Sequence, residues 1–337
     1  MNGQDAYSVF SSDAIIAAID SSRDSLGISS DVDALELPKV LSGKLMSTNE
    51  SERGIAEKIA REFGCRLGAI LFAMKTASPE LREANSRYAP DDWTPWTSAE
   101  NVILSGGLAS GNLGKALRNA AVETMYCLGQ EISIEISSHP AFAPLIGVSR
   151  LVPINTERAV VFDFGHTFVK SAISVYNGNN LEKIVLFPKV ESEYMGRFYD
   201  NKDEELKDSL RLHDFIASMI SETICRSRVS PSVVPISIAN TVVNGVISRG
   251  GCYSKLAKIT DNYGNYLSQD VSQRVGRKIK VLLIHDGEAV ALCFAERPKT
   301  VGIALGTAFG VGFSLETSFC ISIKGTEVIT DQRYYDR

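Results

Sequence analysis

Apolar residues recur at helical spacing through residues 51–74, where Ile55, Ile59, Phe63, Leu67, Ile70 and Leu71 define one face. This spacing predicts a long amphipathic helix, with Asn49 or Ser51 as its cap. Residues 79–96 are rich in Pro, Asp and Trp and read as an exposed excursion. "NVILSGGLASGNLGKAL" then predicts a short buried strand, a Gly106-Gly107 turn and a helix from about Leu113, followed by a strand in "ISIEISS" and a helix in "PAFAPLIGVSRL". Beyond a polar connector at residues 153–158 the pattern changes to β alternation, and "AVVFDFGHTFVKSAIS" reads as strand, glycine turn, strand. A charged helical stretch follows, then the strand "VVPISIANT", a helix around "NYLSQDVSQRVG", the strand "IKVLLIHDG" and the helix "EAVALCFAE". A second glycine-turn hairpin, "KTVGIALGTAFGVGFSLE", comes last. Alternating strands and helices predict an α/β fold.

Composition narrows this picture. A chain of 337 residues exceeds one small core, so two lobes are expected. With 44% hydrophobic residues, 22% charged residues and a net charge of −5, there is no broad basic field for nucleic acid or an anionic membrane. The first 20 residues lack a basic start and a sustained apolar run, and no stretch approaches a membrane span, which gives a cytoplasmic reading. Six cysteines are scattered without a C-x-x-C pair, which argues against a zinc ribbon or disulfide framework and predicts buried free thiols. A small-molecule partner is expected, with a homodimer left open.

Four places carry candidate chemistry. At Asp163, Gly165, His166, Thr167 and Lys170, a carboxylate at a strand end suits a hydrated Mg²⁺ ion. The glycine lets backbone approach an anion, and the hydroxyl and lysine suit phosphate oxygens. An ordinary β-turn is the plainer alternative. Gly306, Thr307 and Gly310 lie in a glycine-dense hairpin that suggests close backbone approach to a ligand, or a glycine bulge. Neither hairpin matches the Walker or dinucleotide glycine patterns. His285-Asp286-Gly287-Glu288 follows a buried strand, where Asp286 is placed as a general base or as a helix cap. Gly106 and Gly107 suit a flat or anionic ligand, or a simple turn. His139 and His213 read as structural or solvent-facing, and no function attaches to Trp93 or Trp96.

Together these segments resemble the actin-like ATPase and sugar kinase superfamily, most closely its ROK branch (repressors, open reading frames and kinases). "FDFGHTFVKSAIS" resembles the first phosphate motif, "IALGTAFGVGF" the second, "HDGEAVALCFAE" the catalytic-aspartate segment and "NVILSGGLASGNLGKAL" the adenosine segment. The order is rotated relative to that family, which implies a circularly permuted, two-lobed actin-like ATPase (ribonuclease H-like) α/β fold. The expected lobes are a larger nucleotide-binding lobe from residues 1–140 and 299–337, and a smaller lobe from 141–298.

The resemblance implies ATP and Mg²⁺ as cofactors, Asp163 as the magnesium ligand, and Asp286 as the base for phosphoryl transfer to a sugar or polyol hydroxyl. Gly165, His166, Thr167, Lys170, Gly306, Thr307, Gly310, Gly106 and Gly107 become nucleotide or phosphate contacts. Asn240, Thr241, His285 and Glu288 become substrate contacts. The family's zinc cluster does not follow Gly312, so no structural zinc is expected, and His285-Asp286-Gly287-Glu288 departs from the family's Asn-Asp-Ala-Asn pattern. The alternatives are a catalytically silent nucleotide- or sugar-binding sensor, or an ATPase or acyl-phosphate kinase, on the same fold.

Overall fold

The strands of the computed structural model are β1 (Asn101–Ser105), β2 (Ser133–Ile136), β3 (Arg158–Phe164), β4 (Phe168–Asn177), β5 (Asn180–Leu186), β6 (Val190–Glu191), β7 (Val233–Ile238), β8 (Val242–Val243), β9 (Val246–Ile247), β10 (Lys280–His285), β11 (Thr300–Leu305), β12 (Phe309–Phe313) and β13 (Glu327–Thr330). The structure describes residues 6–86, 88–193, 202–307, 309–314 and 320–330. Two units divide the chain: Met1–Ala143 with Phe294–Glu316, and Pro144–Cys293 with Thr317–Arg337.

The first unit is built on a sheet ordered β12-β11-β1-β2. Its β11 and β12 form an antiparallel hairpin, and β1 and β2 continue in parallel on the far side of β11. The second unit orders its sheet β10-β7-β3-β4-β5-β13. There β3 and β4 are the antiparallel hairpin, and β7 and β10 are the parallel pair beyond β3. Helices repeat as well: Glu50–Thr76 precedes β1 and Gly111–Cys127 joins β1 to β2, while Lys202–Ser227 precedes β7 and Tyr263–Val275 joins β7 to β10. The two units therefore share one layout with different wiring. In the second unit the hairpin comes first in the chain, whereas in the first unit it comes last, after the parallel strands.

Local chemistry explains the elements. The Asn49 side chain accepts the Ser51 and Glu52 N–H groups and starts the long helix, whose apolar face buries Ile59, Phe63, Leu67 and Leu71. That helix crosses Gly111–Cys127 through Gly64 and Gly68. A Cβ at Gly64 would stand 2.5 Å from the Ala120 Cβ, and one at Gly68 2.8 Å from the Ala121 carbonyl oxygen, so the long helix needs glycine at both positions. In the second unit, burial on both faces gives β3 and β7 near-continuous apolar runs, as central strands require.

Several expectations need correction. Residues from 317 onward belong with the second unit, because β13 pairs in parallel with β5 and Ile329 packs against the second core. Residues from 6 onward lie in the first unit and residues 320–330 in the second, so the expected larger lobe does not hold both. The units are of nearly equal length instead of larger and smaller. Residues 79–96 are not one exposed excursion: they contain short helices, and Trp93 is buried. The six cysteines form no disulfide, but Cys127, Cys225 and Cys320 are exposed and the other three are half-buried. Among the described residues no helix is long and apolar enough to cross a membrane.

Candidate functional site

In the second unit β3, β7 and β10 run parallel and end abreast, with Phe164 opposite Ile238 and His285 also opposite Ile238. The chain leaves these ends as Gly165, Ala239 and Asp286. In open α/β sheets such carboxyl ends are where ligands bind.

Asp163 sits one residue before the end of β3, with its side chain 5% exposed. Register explains its partners. Lys170 faces it across the antiparallel ladder, and its ammonium lies 3.0 Å from Asp163 Oδ2. Ser237 stands abreast on β7 and donates its hydroxyl to Oδ1 at 3.0 Å. Lys170 is thus the ion-pair partner of Asp163, and Ser237, which the sequence reading missed, fixes the carboxylate plane. Each oxygen keeps further acceptor capacity. A carboxylate so held fits a cation that takes most of its ligands from water and phosphate oxygens. Among the described residues no group of three or more His, Cys, Asp or Glu side chains is arranged to cage a metal.

The turn after Asp163 is tied from two sides. The Gly165 carbonyl oxygen accepts the Tyr253 hydroxyl at 2.9 Å and the Ser192 hydroxyl at 2.8 Å. The Ser192 N–H donates to the Thr167 carbonyl at 3.0 Å. His166 and Thr167 are half-buried beside these bonds.

Asn240 follows β7, and its side chain is engaged within its own loop. Its side chain is buried and its hydrogen-bonding capacity is spent internally. Nδ2 donates to the Thr241 carbonyl at 3.3 Å and to the Ser248 carbonyl and hydroxyl at 3.2 and 3.1 Å, while Oδ1 accepts the Tyr253 N–H at 3.0 Å. Asn240 therefore holds the loop through residue 253 in shape. Thr241 beside it is exposed.

At the end of β10, His285 Nε2 lies 2.9 Å from Asp286 Oδ1, and both side chains are 22% exposed. The Gly287 N–H donates to the same oxygen at 2.7 Å. Asp286 opens the helix Asp286–Leu292 as its first residue, and His285 is the cap position. Burial disfavours the imidazolium of His285, but the bond and charge of Asp286 and the charge of exposed Glu288 outweigh it, so its pKa is raised.

Two neighbours report the same field. Burial and then the charge of Asp286 push the Cys252 thiol up to about 11. The Tyr253 phenol is raised first by burial, and also by Asp163, Cys252 and Asp286, so it stays a protonated donor. Asp163 and Asp286, 123 residues apart in sequence, thus act on one buried phenol.

In the first unit Gly106 and the β11–β12 turn come together. Gly106 has φ +88°, and a Cβ there would stand 2.3 Å from the Leu305 carbonyl oxygen, so no side chain fits. Its N–H donates to the Pro140 carbonyl at 2.7 Å. Gly107 is exposed with open space at its Cβ position. The helix that follows does not present a free N-terminus: the Asn112 and Leu113 N–H groups both donate to the Ser42 hydroxyl, at 3.0 and 3.1 Å. Gly306 and Thr307 are half-buried at the hairpin turn, where the Gly306 carbonyl accepts the Ser12 N–H at 3.0 Å. Gly310 is buried opposite Ala304.

No family model and no curated protein matches the chain. Among solved structures it is similar to the ethanolamine utilization protein EutJ from Carboxydothermus hydrogenoformans, at 12% identity and a TM-score of 0.25, over 48% of this chain and 55% of that one. It is also similar to the Ppx/GppA phosphatase of Aquifex aeolicus, at 10% identity and a TM-score of 0.24, over 47% of this chain and 51% of that one. The chain thus spans about half the length of each, and a likeness this slight assigns no activity.

Proposed function

We propose that this chain is an ATP-dependent kinase that transfers the γ-phosphoryl group to a hydroxyl of a sugar or related polyol, in the manner of the ROK-type kinases its motifs resemble. The observation that supports it is the gathering of Asp163, Asp286 and the turn at residues 165–167 around the carboxyl ends of three parallel strands. Phosphoryl transfer needs little covalent chemistry from the protein and depends on positioning and charge. Asp286 takes the proton of the acceptor hydroxyl; His285 and the Gly287 N–H both engage Oδ1, which leaves Oδ2 for that proton. Gly165, His166 and Thr167 meet phosphate oxygens, and Lys170 adds positive charge beside them.

Asp163 is the residue that would hold Mg²⁺, which supplies charge neutralisation of the phosphates when bound. Within the first unit, Gly306, Thr307, Gly310, Gly106 and Gly107 keep their proposed role as nucleotide contacts. Thr241, His285 and Glu288 are assigned to the acceptor, with Asn240 shaping their loop.

A second reading is a sensor of the same fold that binds nucleotide without transfer. The contact between His285 and Asp286, which departs from the Asn-Asp-Ala-Asn pattern, is the observation that favours it. Mg²⁺-dependent ADP release from ATP across hexoses, amino sugars, N-acylated sugars and polyols separates the two. An acceptor that raises the rate above basal hydrolysis supports the kinase, and ATP binding with no stimulation across the panel supports the sensor.

The rotated motif order belongs to the same proposal, supported by the shared layout whose hairpin comes first in one unit and last in the other. Opening the chain within residues 153–158 and joining its ends through a flexible linker should yield a folded, ATP-binding protein. Loss of cooperative unfolding for every linker length tried would count against the permutation.

A further inference from the structure

The carbonyl of Gly165 receives two hydroxyl donors from distant parts of the chain, Tyr253 at 2.9 Å and Ser192 at 2.8 Å. Two donors fill both lone pairs of a carbonyl oxygen. The peptide that joins Gly165 to His166 is planar and trans, so its N–H points opposite to its C=O. Holding the carbonyl against Tyr253 and Ser192 therefore turns the His166 N–H away from them. Among the described residues that N–H has no acceptor.

Each donor is itself held. Tyr253 is fully buried, and its own N–H is fixed by Asn240 Oδ1 at 3.0 Å. The Ser192 N–H is fixed by the Thr167 carbonyl. A hydrogen-bond donor aimed in advance at an anion costs no reorganisation when the anion arrives.

We propose that Tyr253 and Ser192 are positioning residues that lock the Gly165–His166 peptide, so that the His166 backbone N–H is presented as a fixed donor to a phosphate group. This rests on the phosphoryl-transfer reading above. It moves the contribution of His166 from its imidazole to its backbone, and it gives residues 240–253 a role as the support of the phosphate turn. Phosphate recognition is then tied to the shape of the loop that Asn240 organises.

The test is the affinity of MgATP and of adenosine for the full chain, by calorimetric titration, in the wild type, Tyr253→Phe, Ser192→Ala and the double variant. Either single variant leaves one donor on Gly165, so the fold persists, and cooperative thermal unfolding checks this. Each single change is expected to weaken MgATP about tenfold while adenosine stays within about twofold. The double variant is expected to lose more than the product of the two, because the carbonyl is then released.

Unchanged MgATP affinity in both single variants, or equal weakening of MgATP and adenosine, overturns the lock. A wild-type chain that binds adenosine but gains nothing from the phosphates of MgATP also overturns it. A wild-type chain that binds neither ligand removes the phosphoryl-transfer reading itself, which separates that failure from failure of the lock.

Discussion

The two units bury the same layout of strands but different chemistry. In the first, the buried polar side chains among the described residues are Ser11, Ser105, Ser137 and Thr300, and none is ionisable. In the second, Arg150, Asp163, Asp208, His213 and Lys255 are all buried. The first unit builds a hairpin with two parallel strands around an apolar core, so the layout itself does not require buried charge. Removing an ion from water costs several kcal/mol, and that cost is offset only by close partners. The second unit provides them: Lys255 lies 2.6 Å from Asp208, the imidazole of His213, whose charged form burial disfavours, hydrogen-bonds Asp270 at 3.0 Å, and Asp163 is held by Lys170 and Ser237. The first two pairs tie the helix Lys202–Ser227 to the segments that follow β9. The third stands at the strand ends where chemistry is proposed.

This contrast can be broken by substitution. Lys255→Met should destabilise the protein by about 3–5 kcal/mol, since it leaves the Asp208 carboxylate buried without its cation. Urea unfolding measures this, and the pair Lys255→Met with Asp208→Leu should recover most of the loss. Recovery that fails would mean the pair is needed for more than charge balance.

Gly106→Ala tests the first unit, where the constraint is space and backbone instead of charge. With φ +88° and the Leu305 carbonyl 2.3 Å from the added Cβ, the expected loss exceeds about 1 kcal/mol. Gly107→Ala, with nothing near its Cβ position, should fall within about 0.5 kcal/mol of wild type.

The smallest expected effect is a pH dependence of opposite sign at two histidines of the second unit. The folded-state pKa of His285 is raised, so its stabilising contribution is complete below the unfolded value near pH 6.5 and is lost as pH rises through the folded value. That of His213 is lowered, chiefly by burial, so its contribution is present above about pH 6.5 and is lost as pH falls through the folded value. Stability curves of His285→Gln and His213→Gln against pH should lose opposite limbs. Loss of the same limb in both would reject this assignment.

Much of the framework was legible because it is local. The period of Ile55, Ile59, Phe63 and Leu67 marked the long helix, and the two glycine-turn hairpins announced themselves by alternation around Gly165 and Gly306. Asp163 and Asp286 were legible as strand-end carboxylates, and the parallel register of β3, β7 and β10 brings those ends abreast. Asn240 reads from sequence as a ligand contact because it is a polar residue after a buried strand, whereas its side-chain bonds tie together the loop that carries the short β8–β9 hairpin, a role with no local signal. Tyr253 and Ser192 carried no local signal, since their bonds to Gly165 cross 88 and 27 residues of sequence. The placement of β13 was equally hidden: four residues at a sheet edge gain their position from β5, not from their own pattern.

Phosphoryl transfer at the strand-end cluster of the second unit, with Asp286 as base, is the function proposed above. Its most direct measurement compares wild type and Asp286→Asn for acceptor-stimulated ADP release and for MgATP affinity in the same preparations. The account predicts that the substitution lowers stimulated turnover by about 10²-fold or more while MgATP affinity stays near wild type. Near-normal turnover in Asp286→Asn would contradict it.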